Sequence, residues 1–248
     1  MSTAAGAAGF PRRGRRFWVV TAAALLGVAV TASLGRWQLQ RAAQKEAIEA
    51  SIRERAALPV LDGLSLASAD RQQDLLNRRV RLRGRWLPQY TVYLDNRQMF
   101  GRPGFFVLTP LEIAPGRAVL VQRGWIARNF EDRSRLEPVA TPDGTVDIAA
   151  RIAPAPSRLY DFAAAEEGHS PIRQNLDLPA FQRETGLPLA ALTVVQTGAA
   201  SEGMQREWPA VTTGVERHYG YAFQWFGLCA LIVFLYAWFH IFRRPRAA

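Results

Sequence analysis

Chemistry in this chain has few places to reside. The sequence holds three histidines, His169, His218 and His240, and one cysteine, Cys229. It contains no H-E-x-x-H, G-x-S-x-G, P-loop or G-x-G-x-x-G, so a zinc protease, serine hydrolase, kinase or dinucleotide enzyme would lack its usual parts. A single thiol excludes an internal disulfide and a thiolate pair for zinc, copper or redox exchange. His169, with Ser170 and Asp161, has the atoms of a catalytic triad. Residues so close in a glycine- and proline-flanked loop rarely reach one another as nucleophile and base, and His169 reads as a loop histidine. For His218, helical spacing puts Tyr221, Ala222 and Trp225 on its side at i+3, i+4 and i+7. Such a group is either an aromatic belt at a membrane interface, needing no ligand, or an imidazole able to coordinate a metal beside a flat aromatic surface. His240 lies 22 residues further along the same helix. At 1.5 Å per residue it is about 33 Å away and cannot complete one site with His218.

Two apolar spans position these residues, Phe17 to Leu34 and Tyr219 to Phe242, each long enough to cross a bilayer and each free of Asp, Glu, Lys and Arg. The first resembles a signal peptide in having arginines before it and small residues at Val30 and Ala32, but its apolar run exceeds the usual length, so an uncleaved anchor is expected. Arg12, Arg13, Arg15 and Arg16 precede the first span, and Arg243, Arg244 and Arg246 follow the second, with no acidic residue in either tail. Both ends are therefore expected in the cytoplasm. The resulting plan is a cytoplasmic tail (1–16), a first transmembrane helix (17–34), an outer domain (35–217), a second transmembrane helix (218–242) and a cytoplasmic tail (243–248). A bacterial cytoplasmic membrane, with the central domain in the periplasm, is the expected location.

The formal charge of +10 invites a nucleic-acid reading, but seven of the arginines sit in the tails and leave 24 basic against 21 acidic residues elsewhere. Arg79, Arg81, Arg83 and Arg85 alternate with Val80, Leu82, Gly84 and Trp86, the period of a half-buried strand with a solvated face, and no nucleic acid is expected as partner. Within the central segment, residues 35–57 predict a helix running out of the membrane, ended by Pro59. It carries Trp37, Arg41 and Lys45 on one face. Six strands are predicted after it, at Val80–Trp86, Thr91–Asn96, Phe105–Ile113, Ala118–Ile126, Thr145–Ile152 and Leu192–Thr197. Short links such as Pro115-Gly116 favour antiparallel pairing, so the expected class is an α+β membrane protein with two transmembrane helices flanking an outer antiparallel β-rich domain. Asp95-Asn96 suits a turn, and Arg123-Gly124-Trp125 a strand-end turn with a packed indole.

The juxtamembrane stretch Leu34-Gly35-Arg36-Trp37-Gln38-Leu39-Gln40-Arg41, followed by Lys45, resembles the L-G-x-W-Q-x-x-R-x-x-x-K signature of the Surfeit locus protein 1 (Shy-type) family of cytochrome c oxidase assembly factors. Arg83-Gly84-Arg85-Trp86, Leu94-Asp95-Asn96, the run Gly104 to Leu111 and the run Val119 to Ile126 follow in the family's order. His218-Tyr219-Gly220-Tyr221-Ala222-Phe223-Gln224-Trp225-Phe226 is similar to its H-x-x-Y-A-x-x-W-F signature. The resemblance implies a non-enzymatic factor that promotes haem a insertion into, or stabilisation of, the catalytic membrane subunit of cytochrome c oxidase. It implies transient haem a binding with His218 on the iron and Tyr221 and Trp225 beside it, contact with that subunit through Trp37, Gln38 and Arg41, and haem a synthase as a further partner. The alternative it leaves open is a cofactor-free, membrane-tethered scaffold for an oxidase assembly intermediate.

Overall fold

The computed structural model describes residues 14–66, 72–132, 135–156, 158–159, 170–208 and 214–242. Asp161 and His169 lie outside the described residues. The chain divides into two units, one built from Met1–Glu49 with Thr212–Ala248 and the other from Ala50–Val211.

The first unit is helical. Helix α1, Arg15–Ala57, begins in the apolar stretch and continues unbroken through the charged sequence that follows. No proline interrupts it until Pro59, and the bias of the residue before a proline away from helix ends it there. The last helix, Val215–Ala237, starts after Gly214, whose φ of 66° is a left-handed conformation that costs glycine nothing. It is called α3 below, and closes in a π-helical turn, Trp238–Phe242. Both helices are long and apolar enough to cross a membrane.

The second unit is a barrel. Its elements are β1 (Leu61–Asp62), β2 (Arg79–Trp86), β3 (Val92–Met99), β4 (Arg102–Ala114), β5 (Arg117–Ala127), β6 (Thr145–Ala153), β7 (Ile172–Arg173), α2 (Leu178–Thr185) and β8 (Leu189–Gln196). Strands β2, β6, β8, β5 and β4 are neighbours in that order, and β2 returns to pair with β4 through Arg85–Glu112 and Trp86–Leu111, which closes the ring. Closure brings backbones very close at one point. A Cβ on Gly84 would lie 2.3 Å from the carbonyl oxygen of Glu112, so only glycine fits where β2 crosses onto β4. All five strands fill the interior, with Val80, Leu82, Trp86, Leu111, Val121, Ile148, Ile152 and Val194 among the contributors. Arg79, Arg81, Arg83 and Arg85 point to the exposed face of β2, as the alternation requires. A second core lies between the sheet and α2, where Phe181 and Leu178 cover Leu94, Leu108 and Leu120. Asp177 caps α2 by accepting the Ala180 N–H at 2.9 Å, and Gly186 ends it at a φ of 68°.

All six predicted strands are present, with ends shifted by a few residues: β3 starts after Thr91 and β8 ends before Thr197, while the others reach slightly further. Most pairings are antiparallel, but β5 and β8 run parallel, because β8 is reached by a long crossover that carries α2. Two local expectations are corrected. Arg123-Gly124 is not a strand-end turn: both lie inside β5 at a bulge, where Val107 pairs with Gly124 and Leu108 with Gln122, leaving Arg123 as the extra residue. Its side chain is thereby sent into the interior. Asp95-Asn96 likewise forms a bulge within β3, with Asn96 at a φ of 57° and Asp95 buried against Arg128. The indole of Trp125 is packed as expected, its N–H donating to the Arg97 carbonyl at 2.8 Å.

Candidate cofactor site on the helix pair

Within the helical unit, contacts descend along α3 as they ascend along α1. Thr21 Oγ1 meets Tyr236 Oη at 2.8 Å, Cys229 Sγ lies 3.9 Å from the Val28 carbonyl, and the Phe226 ring borders Gly35. The two helices are therefore antiparallel neighbours. On α3 the less exposed positions are His218, Ala222, Trp225, Cys229, Ile232 and Tyr236, spaced alternately by four and three residues. On α1 the matching stripe includes Val28, Thr31, Gly35, Gln38, Ala42 and Lys45, with the same spacing. This is the repeat of two helices facing one another along a seam. Small residues line the α1 side, as membrane helix pairs prefer, and larger α3 side chains fill the space. A Cβ on Gly35 would come within 2.8 Å of the Phe226 ring.

One polar pair interrupts this seam. His218 Nδ1 and Gln38 Oε1 are 2.7 Å apart. A carbonyl oxygen only accepts, so Nδ1 carries the hydrogen and donates it. The imidazole is then the Nδ1–H tautomer, and the lone pair on Nε2 is left available. Nε2 makes no hydrogen bond to any described residue. This is the arrangement in which a ligating histidine is held by an outer acceptor that fixes its tautomer and orientation. A hydrogen bond between membrane helices contributes about 0.6–2 kcal/mol, enough to fix the rotation of α3 about its axis at this level.

The other predicted residues are distributed around this pair. Trp225 shares the α1-facing seam with His218, whereas Tyr221 is exposed at its edge. Gln38 is on the seam, while Trp37 and Arg41 point outward, and Arg41 Nη1 donates to Gln44 on its own helix at 3.2 Å. Arg41 and Lys45 are the cations whose charge is felt at His218. Sequence reasoning did not find two features here: Gln38 as the acceptor for His218, and Glu46, which accepts from Tyr219 Oη at 2.8 Å. The signal for the seam was nonetheless legible in the spacing Gly27-x-x-x-Thr31-x-x-x-Gly35, a small-residue repeat. His240 stands at the far end of the pair, stacked on Tyr236 at 4.6 Å with Phe17 at 5.7 Å.

No group of three or more His, Cys, Asp and Glu gathers among the described residues, so His218 is not part of a metal site built wholly from such side chains there. A single imidazole fits a metal that brings its own planar ring of ligands, as haem iron does. The aromatic face of Trp225, the oriented imidazole and the cations Arg41 and Lys45, suited to carboxylates on such a ring, fit the same group.

The fold and site define a class: a small mixed-topology β-barrel carried with two apolar helices, whose seam bears a tautomer-fixed histidine. The SURF1 family profile matches residues 25–230, which take in part of each helix and the whole barrel. A SURF1-like protein of Rickettsia bellii (strain RML369-C) is 26% identical over 210 residues, covering 82% of this chain and 83% of that protein. One of Rickettsia felis (strain ATCC VR-1525 / URRWXCal2) is 25% identical over 227 residues, 89% of this chain and 95% of its own length. Another, of Rickettsia conorii (strain ATCC VR-613 / Malish 7), is 26% identical over 220 residues, 86% of each chain. The chain belongs to the SURF1 family. That family is one of assembly factors associated with cytochrome c oxidase, rather than one of enzymes.

Proposed function

We propose that this protein promotes haem a insertion into the catalytic membrane subunit of cytochrome c oxidase, or stabilises that subunit while its haem a centres form. His218 is the residue proposed to hold the iron. The observation that supports the reading is the 2.7 Å contact from His218 Nδ1 to Gln38 Oε1, which leaves the Nε2 lone pair unused by that bond. When bound, haem a would supply an iron already ligated by its own macrocycle and able to accept the His218 imidazole. Gln38 holds the ring plane and the tautomer. Trp225, one helical turn below Ala222, offers an aromatic face, and Tyr221 edges the same site. Arg41 and Lys45 provide positive charge for the propionates. His218 is the one ligand proposed from this chain.

In this reading the helices lie in a bacterial cytoplasmic membrane, with the arginine-bearing tails inside and the barrel in the periplasm. Haem a synthase is the source of the cofactor, and the oxidase subunit its destination. A second reading is a cofactor-free scaffold, which the outward position of Trp37 and Arg41 on α1 favours, since neither is used in the seam. The two readings part on one experiment in cells. His218→Ala should lower the haem a content of the assembled oxidase while leaving this protein in the membrane at wild-type level. Unchanged oxidase haem in His218→Ala, with assembled oxidase lost on Trp37→Ala, would select the scaffold instead.

A further inference from the structure

The β3–β4 hairpin turns through only two residues, Phe100 and Gly101, between the paired Met99 and Arg102. Both have positive φ, 54° and 70°, the requirement of a type I′ turn. Gly101 suits its place. At the first position asparagine, aspartate or glycine is favoured, and a bulky aromatic residue at positive φ is strained. Phe100 accepts that strain and gains no burial in return, since 60% of it is exposed. A second aromatic stands beside it. Ala127, the last residue of β5, pairs with Gly104, and the Arg128 N–H donates to the Pro103 carbonyl at 3.1 Å. Phe130, 74% exposed, follows three residues beyond the end of β5, in the turn where Asn129 Oδ1 accepts from the Glu131 and Asp132 N–H groups, at the same end of the sheet as Phe100. Two solvent-facing phenylalanines at adjoining loop tips, one held in a strained turn, serve neither the core nor the local backbone.

We propose that Phe100 and Phe130 form a lipid-inserting tip that seats this end of the barrel in the bilayer interface. The chain itself argues for lipid as the occupant. It leaves the barrel at Trp208, which packs on Phe106 of β4 at 5.4 Å and donates to the Gln196 carbonyl at the end of β8, and the apolar helix α3 begins at Val215. This half of the sheet is thus tethered by a few residues to a membrane-spanning segment, which keeps a lipid surface at high local concentration. Arg102, exposed next to Phe100, supplies the cation that commonly accompanies interfacial aromatics and meets lipid phosphates.

The test uses the whole chain with Cys229→Ser and Arg102→Cys, spin-labelled at residue 102 and reconstituted in phosphatidylethanolamine–phosphatidylglycerol vesicles without other proteins. The label should be relaxed more by oxygen than by a water-soluble nickel chelate, as a group in the interface is. Adding Phe100→Asn and Phe130→Ser should return it to the aqueous pattern. Phe100→Asn alone should raise the unfolding midpoint, because Asn-Gly relieves the turn, while reducing lipid contact. A label that reads as aqueous in the parent protein would overturn the proposal, as would a lipid pattern unaffected by losing both phenylalanines. Protection that appears only in native membranes containing other proteins would assign the tip to a protein partner and equally overturn it.

Discussion

Replacing Glu202 by alanine removes the counter-charge of two buried guanidiniums at once. Glu202 Oε2 accepts from Arg123 Nη2 at 3.0 Å and from Arg206 Nη2 at 2.8 Å. The Arg123 side chain has no solvent exposure, and that of Arg206 very little. Burial pulls the Arg123 pKa below its ordinary value, and the hydrogen bond it donates to Glu202 is the strongest influence opposing that shift. Arg123 keeps other partners after the change. Its Nη1 donates to Thr141 Oγ1 and Nη2 to the Ala140 carbonyl, both at 2.8 Å, and its charge rests 4.5 Å from the Trp86 ring centre. None of these carries negative charge, so two buried cations are left near one another without a counter-charge. Breaking a buried ion pair on one side costs about 3–5 kcal/mol, and the partial exposure of Glu202 argues for the lower end, about 3 kcal/mol. For a unit of this size that is about 6–12 °C in midpoint. Thermal unfolding of the intact chain in detergent, followed by near-ultraviolet dichroism of Trp86 and Trp125, reads it directly. Arg123→Met with Glu202→Gln should recover part of the loss, because an apolar replacement removes the stranded charge as well as its partner. A Glu202→Ala variant within about 0.5 kcal/mol of the parent, the scale of a surface change, would refute the reasoning.

Three further outcomes test the architecture. Gly84→Val should destabilise the barrel by about 3 kcal/mol or more, since the added atoms meet the Glu112 backbone at the closure; a wild-type denaturation midpoint would contradict that contact. Val28→Cys should form an intramolecular disulfide with native Cys229 under mild oxidation, read as a gel shift in the single chain, and no shift would contradict the seam register. Gly35→Leu should push the Phe226 ring aside and lower the oxidation yield of that same pair, measured in parallel.

Local pattern carried most of this fold. Six strands were legible because alternation, as in Val80 and Leu82 against Arg79 and Arg81, has a period that only a strand satisfies. Both apolar helices were legible by length. Ring closure was not, because it depends on Gly84 meeting Glu112 across the sheet, and one glycine in a strand signals a close approach without naming its partner. The bulges at Asn96 and Arg123 were misread as turns for a related reason: a positive φ or a glycine signals an irregular backbone, and only the neighbouring strands decide between a turn and a bulge. At the candidate site, His218 stood out from its scarcity and its aromatic neighbours. Its link to Gln38 joins residues 180 positions apart, through two separate signatures whose pairing no local spacing encodes.

We propose His218, held by Gln38, as the place where this chain binds haem a. The most direct measurement is the absorption spectrum, with pigment extraction, of the whole protein purified in mild detergent from cells that make haem a. Haem a approaching one per chain is expected in the parent, none in His218→Ala, and a reduced amount in Gln38→Leu, whose imidazole is no longer oriented. A colourless, folded parent protein that still co-isolates with oxidase subunits would contradict it.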